Sequence, residues 1–330
     1  MRILGGLILA LGTAIAQPPQ PTIVGANYSA TFPLPVAPGQ LITLVVEGLP
    51  NPLPGPARAP SGSLPISLAG ISAVFRQGTD QAAPVLEVVP FSTCAIPLSS
   101  PCGTLLAVTV QIPFEIETVC PLCGRPQIPA YLAIAQNGTG GALVDVTPLD
   151  NQVHFLTSCD TLVSGISLPP LTGGLPCAPI VMHGDSKPVT ATNPARSGEE
   201  LVAYAVGLGQ TIEPQATGQA LSISAPTSTL YAVDFNYRPN ALATKPAGPS
   251  ANGIPPPTPF AMPLFTGTTP GFVGLYQINF IVPAAPAGLP PCVDRTTAVP
   301  YANVVQSNLT VSIGSAFSFD GAGICVQPGS

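Results

Sequence analysis

Tryptophan is absent from this chain, histidine occurs twice, methionine three times, and charged side chains make up only 7% of the 330 residues. A soluble domain usually carries about a quarter charged residues, so this surface is built from neutral polar, prolyl and glycyl groups. The lack of tryptophan excludes the Cys…Trp…Cys core of antibody-type domains. A zinc site needs four well-spaced ligands, and two histidines do not supply the missing ones, so no metal and no cofactor are expected. Basic residues are scarce too. Without Arg2, 8 remain against 15 Asp and Glu, with no basic cluster, which argues against nucleic acid as a partner. No apolar run reaches the roughly 20 residues needed to span a bilayer, so no membrane span is expected.

What is present begins with an export signal over residues 1–16. Arg2 supplies a short positive region, Ile3 to Thr13 an apolar one, and Ala14-Ile15-Ala16 a small-x-small cleavage site. Position 17 is Gln rather than Cys, which argues against a lipid-anchored lipoprotein. The mature chain is expected to run from Gln17 to Ser330 and to be secreted, extracellular or at the cell surface. Hydrophobic residues are 46% of the chain, so apolar burial is not limiting. The 44 Pro and 33 Gly punctuate too often for long helices. At about 150 residues per domain, the length suggests two.

Eight cysteines behind an export signal read as four disulfides. Eight allow 105 connectivities, so only proximity guides the pairing. Cys94 and Cys102 flank a short loop, and Cys120 and Cys123 form a C-P-L-C turn. Cys159 and Cys177 bracket the Pro/Gly-rich middle, and Cys292 with Cys325 would tie the end of the second half. A redox dithiol at C-P-L-C wants its thiolate at a helix N-terminus. Pro121, Pro126 and Pro129 oppose a following helix there, so a structural bridge is the better reading.

The chain carries a duplication. Val36-Ala37-Pro38-Gly39 leads into Leu41 to Val46 and stops at Gly48-Leu49. Ala195-Arg196-Ser197-Gly198 leads into Leu201 to Val206 and stops at Gly207-Leu208. Later, Ala107 to Pro113 answers Gln277 to Pro283, the offset between the halves growing from 159 to 170 residues. Period-2 patterning marks strands. Tyr276, Ile278, Phe280 and Val282 share one face against Gln277 and Asn279, and Leu309, Val311 and Ile313 alternate with Asn308, Thr310 and Ser312 as a half-buried strand. Pro113 and Pro283 end their strands by withholding a ladder donor, and Pro-rich loops fill Pro50 to Ser63 and Pro239 to Pro263. The expected fold is all-β: two tandem Ig-like antiparallel β-sandwich domains at 17–163 and 180–330, joined by a linker at 164–179.

The stretch SKPVTATNPARSGEELVAYAVGLGQT, followed by TTPGFVGLYQINFIVPAAPAG, closely resembles the Solibacter-type Ig-like C-terminal domain family of exported acidobacterial proteins. The shared features lie at Asn193 to Gly198, Gly207 to Thr211 and Pro270 to Pro283, and NYSATFPLPVAPGQLITLVVEGL at Asn27 to Leu49 resembles the family's front part. The first half keeps only Val108 to Pro113 of the "GlyQvN" run and adds cysteines. The resemblance implies the sandwich fold and carries no catalytic or ligand-binding residue with it.

Gly184-Asp185-Ser186 after an apolar run resembles the nucleophile block of GDS-type serine esterases. That chemistry needs a His base on Ser186 with a carboxylate behind it. His154 and His183 both precede the serine, no Asp-x-x-His block follows, and a polar β-turn is the simpler reading. His154 is expected to be a solvated strand residue, and Glu199 and Glu200 a solvated turn. Glu115 and Glu117 share one face of an extended segment, but calcium wants six to eight oxygens. Asn27, Asn137 and Asn308 open N-x-S/T triplets. Tyr204, Tyr231, Tyr237 and Tyr276 would line a sugar platform if they converged, although scattered strand tyrosines are usually core. The expected function is a non-catalytic exported structural or adhesion module that presents Pro-rich loops to an extracellular protein or polysaccharide. The alternative is an esterase using Ser186.

Overall fold

The structure, a computed structural model, describes residues 20–27, 32–92, 103–118, 128–157, 160, 179–237, 260–292, 307–313 and 322–328. The expected export signal at 1–16, the expected linker up to residue 178, and Cys94, Cys102, Cys120, Cys123, Cys159 and Cys177 lie outside them. Frequent Pro and Gly leave only short runs of Val, Ile, Leu, Thr and Ala between breaks, and these runs become strands. Among the described residues there is no helix, and so none long and apolar enough to cross a membrane.

The first half contributes β1 (Thr22–Ala26), β2 (Leu34–Val36), β3 (Leu41–Glu47), β4 (Ala57–Arg58), β5 (Ser67–Leu68), β6 (Ile71–Gln77), β7 (Thr79–Ala83), β8 (Val85–Ser92), β9 (Thr104–Gln111), β10 (Ala130–Gln136), β11 (Thr139–Gly140) and β12 (Val144–Pro148). One sheet is ordered β1-β3-β9-β8-β4, the other β2-β12-β10-β6-β5. Pairing is antiparallel except between β2 and β12. Leu44, Val46 and Val108 of the first sheet pack with Phe75, Leu132 and Ile134 of the second in one apolar core, the arrangement of a sandwich.

The second half contributes β13 (His154–Phe155), β14 (Val181–His183), β15 (Glu200–Val206), β16 (Val233–Asn236), β17 (Phe260–Ala261), β18 (Phe265–Thr268), β19 (Tyr276–Ile281), β20 (Leu309–Ile313) and β21 (Ala322–Ile324). Its sheets run β13-β15-β19-β18, with β14 also on β15, and β17-β16-β20-β21. Ala203, Ile278 and Phe280 meet Phe235, Val311 and Ile324 in a second core, where the rings of Phe235 and Phe280 stand 5.6 Å apart. Cys292 and Cys325 form a disulfide with Cα atoms 5.5 Å apart, the ordinary spacing for such a bridge.

The duplication is a duplication of pairing. In β3–β9, Leu41 faces Gln111, and in β15–β19, Glu200 faces Ile281. The same offsets of 159 and 170 residues carry one pair onto the other. Gly39 N donates to Ile112 O at 3.0 Å, and Gly198 N to Val282 O at 2.8 Å. Val36 lies parallel to Pro148 as Ala195 does to Val326.

Several sequence expectations need correction. β13 falls within 17–163, yet it pairs with β15, and Val153 and Phe155 enter the second core. Gly207, at φ 78°, permits that approach, since a Cβ there would stand 2.0 Å from Gln152 O. Within the Pro50–Ser63 loop, β4 forms on β8. β20 is buried on both faces, because Asn308 and Thr310 are buried along with Leu309 and Val311.

The halves meet through a third apolar cluster that includes Leu41, Leu64, Leu156, Val206 and Val273. Loop 210–221 reaches from the second half into the first. Leu64 N donates to Gly218 O at 2.8 Å, Ala220 N to Gly62 O at 2.9 Å, and Gly218 N to the buried Gln111 Oε1 at 2.6 Å. Gln210 Nε2 donates to Phe114 O, and Phe114 N to Thr217 Oγ1.

Candidate functional site

Ser186 closes a tight turn after β14. Its N donates to His183 O at 2.9 Å, and His183 N donates to Lys187 O at 2.9 Å, so the chain doubles back as a hairpin. Asp185 holds the turn: Oδ1 accepts from Lys187 N at 3.1 Å and Oδ2 from Lys187 Nζ at 2.6 Å. The Lys187 ammonium thereby keeps the Asp185 carboxyl below its ordinary range. Ser186 sits at φ 64°, in the left-handed region.

A His–carboxylate pair does stand beside this turn, which sequence reasoning missed. His183 Nδ1 lies 2.6 Å from Glu199 Oε1, and Nε2 lies 3.1 Å from Asn193 O. Glu199 is therefore not a solvated turn residue. Its other oxygen accepts from Arg196 N at 2.8 Å. Burial opposes its ionisation, but the bonds from His183 and Arg196 N outweigh that and hold the carboxyl below its usual value. Two acceptor oxygens face the one imidazole ring. The ring is engaged away from Ser186, whereas a nucleophilic serine needs the base on its own hydroxyl. The signal for Glu199 lay in the repeat: Gln40 occupies the matching position and accepts from Ala37 N at 2.8 Å.

His154 is buried, not solvated. Its Nε2 lies 3.2 Å from both carboxylate oxygens of the buried Asp160, which also accepts from Thr157 N and Thr157 Oγ1. A buried carboxylate is tolerated where such bonds satisfy it, and the group closes the turn after β13.

The remaining candidates disperse. Glu115 lies in a turn and accepts from Thr217 Oγ1 at 2.6 Å, while the Glu117 backbone pairs with the Gln77 side chain. Among the described residues no three of His, Cys, Asp and Glu gather into a metal-binding group. Tyr231 and Tyr276 are buried and donate to Leu208 O and Gly209 O, both at 2.6 Å. Burial pushes both hydroxyls well above their ordinary pKa. Tyr237 donates to Pro283 O, and burial raises it to about 12. No tyrosine platform forms among these four. Of the three triplets, Asn308 is buried and bonded to Pro290 O and Val326 O, and Asn27 accepts from Thr43 N. Asn137 stands exposed at the tip of the β10–β11 hairpin.

A concave feature among the described residues lies elsewhere. A cavity of about 420 Å³ opens along the seam between the halves. Leu41, Leu86, Leu156, Val273 and Leu275 form its apolar wall. Arg58, Tyr204 and Thr269 contribute the polar groups, and Arg58 Nη1 lies 3.4 Å from the buried Glu87 Oε1. Burial raises the Glu87 carboxyl above its ordinary value, with Arg58 pulling the other way. Sequence reasoning gave no hint of this cavity, because its walls come from segments far apart in the chain.

No protein-family model matches the chain, and no curated protein matches it.

Proposed function

We propose that the chain is an exported, non-catalytic structural or adhesion module. In this reading two tandem sandwich units of the Solibacter-type Ig-like kind present Pro-rich loops to an extracellular protein or polysaccharide. The observation that carries it is the clamp between the halves, in which loop 210–221 hydrogen-bonds to residues 62–64, Gln111 and Phe114. A clamp of backbone and side-chain hydrogen bonds around an apolar seam suits a part that must hold its loops in a fixed relative position. The engagement of His183 by Glu199 and Asn193 supports the non-catalytic half of the reading.

The test is a binding screen of residues 17–330 against glycans and secreted proteins, run beside an activated-ester assay. Saturable binding to one partner class, with ester turnover at background in both wild type and Ser186→Ala, is expected. Turnover well above background that disappears in Ser186→Ala would overturn the reading in favour of the esterase.

A further inference from the structure

We infer that the seam cavity is a binding site for an uncharged, mainly apolar small molecule. Its volume of about 420 Å³ falls in the range of small-molecule sites, which are mostly apolar with a few placed polar groups. Protein interiors and seams ordinarily close to native density and leave few gaps larger than a water. Here leucines from both halves line a gap that stays open. Its rims are tied down on both sides, Ala220 N donating to Gly62 O at 2.9 Å and Gly271 N to Leu221 O at 2.7 Å. The opening is thus framed by backbone hydrogen bonds and exists before any ligand arrives.

Charge decides the ligand class. The cation at the wall, Arg58, is already paired with Glu87, whose carboxylate is buried behind it. An anionic ligand approaching Arg58 must compete with Glu87 for the guanidinium, and a cationic one is repelled by it. An uncharged molecule meets neither penalty, and taking an unpaired charge into an apolar site is costly. Phe272, 58% exposed on the rim, offers an apolar face over the mouth. The Tyr204 and Ser61 hydroxyls lining the cavity suit a ligand carrying one oxygen or nitrogen.

The site is independent of the macromolecular contact proposed above, and its test reads a different quantity. The probe is N-phenyl-1-naphthylamine, an uncharged apolar dye, titrated into residues 17–330 with fluorescence as the readout. One saturable site per chain is expected, with at least tenfold weaker binding of the anionic 8-anilinonaphthalene-1-sulfonate. Leu275→Trp, which fills the cavity from its wall, should weaken the dye at least tenfold. Phe272→Glu, an exposed rim change that leaves the core alone, should weaken it severalfold and keeps the test decisive if Leu275→Trp does not fold. Leu230→Ser, which removes an 86% exposed leucine away from the cavity, should leave affinity unchanged. Absence of saturable binding, equal or tighter binding of the anionic dye, or affinity indifferent to both cavity variants would overturn the assignment.

Discussion

Gly207 shows how much a single position can fix. It ends β15 at φ 78°, and a Cβ there would stand 2.0 Å from Gln152 O, a backbone atom that cannot swing aside. Gly207→Val adds a left-handed penalty to that overlap, and we expect a loss of at least about 3 kcal/mol, read from the denaturant midpoint. Ala69 illustrates the opposite case. It precedes Gly70 in the β5–β6 turn with φ 52° and 77°, where Asn or Gly is favoured. The equivalent step in the β10–β11 turn is Asn137-Gly138, with φ 50° and 83°. Ala69→Asn should therefore raise stability by about 0.5–1 kcal/mol, and an unchanged or lower melting temperature would count against the turn assignment. In the sequence Asn137 read only as the start of a glycosylation triplet, although Asn-Gly is also a hairpin-turn pair. The burial of His154 was not legible, since its partner Asp160 is brought to it by hydrogen bonds with Thr157 that no sequence pattern announces.

At the scale of elements, the turn before β3 and the turn before β15 are one device built twice. Gln40 and Glu199 each return a side-chain oxygen to the backbone N–H three residues earlier. Glu199→Gln should keep that bond, as Gln40 does, and lose only the carboxylate contact to His183. Glu199→Ala should lose both, costing about 1–3 kcal/mol. The pH dependence follows from the lowered Glu199 carboxyl. Its stabilisation is present above the ordinary glutamate value and is lost as pH falls through the folded one. Wild type and Glu199→Gln should thus differ in melting temperature above the ordinary glutamate range and converge as pH falls below it. A gap that widens toward low pH would contradict the assignment. The duplicated strands were readable because Gly at positive φ and Pro at strand ends announce themselves locally. β4 was not, since a two-residue strand has no period to detect; β13 was anticipated only as a strand through His154, without its pairing to β15; and β20 read as half-buried because covering its second face is a tertiary event.

The whole molecule is held by its seam, and this shifts where a separable fragment would have to start. Residues 176–330 lack Val153 and Phe155, which fill the second core, and β13, which edges its sheet. A fragment from residue 150 restores them and should be more stable than one from residue 176 by about 3–5 kcal/mol, the usual cost of losing a buried Phe. Equal stability of the two would mean that β13 contributes nothing. The linker composition at 164–179 suggested an easy cut, but the residues that complete the second core precede it. The clamp itself was invisible in the sequence, because loop 210–221 carries no pattern that names Gln111 or residues 62–64 as its partners. Its prediction is cooperativity. Scanning calorimetry of the oxidised chain from residue 17 should give one transition with equal calorimetric and van't Hoff enthalpies, and Gln111→Ala, which removes the buried acceptor of Gly218 N, should split or broaden it. Two independent transitions in the unsubstituted chain would contradict the account of halves clamped into one body.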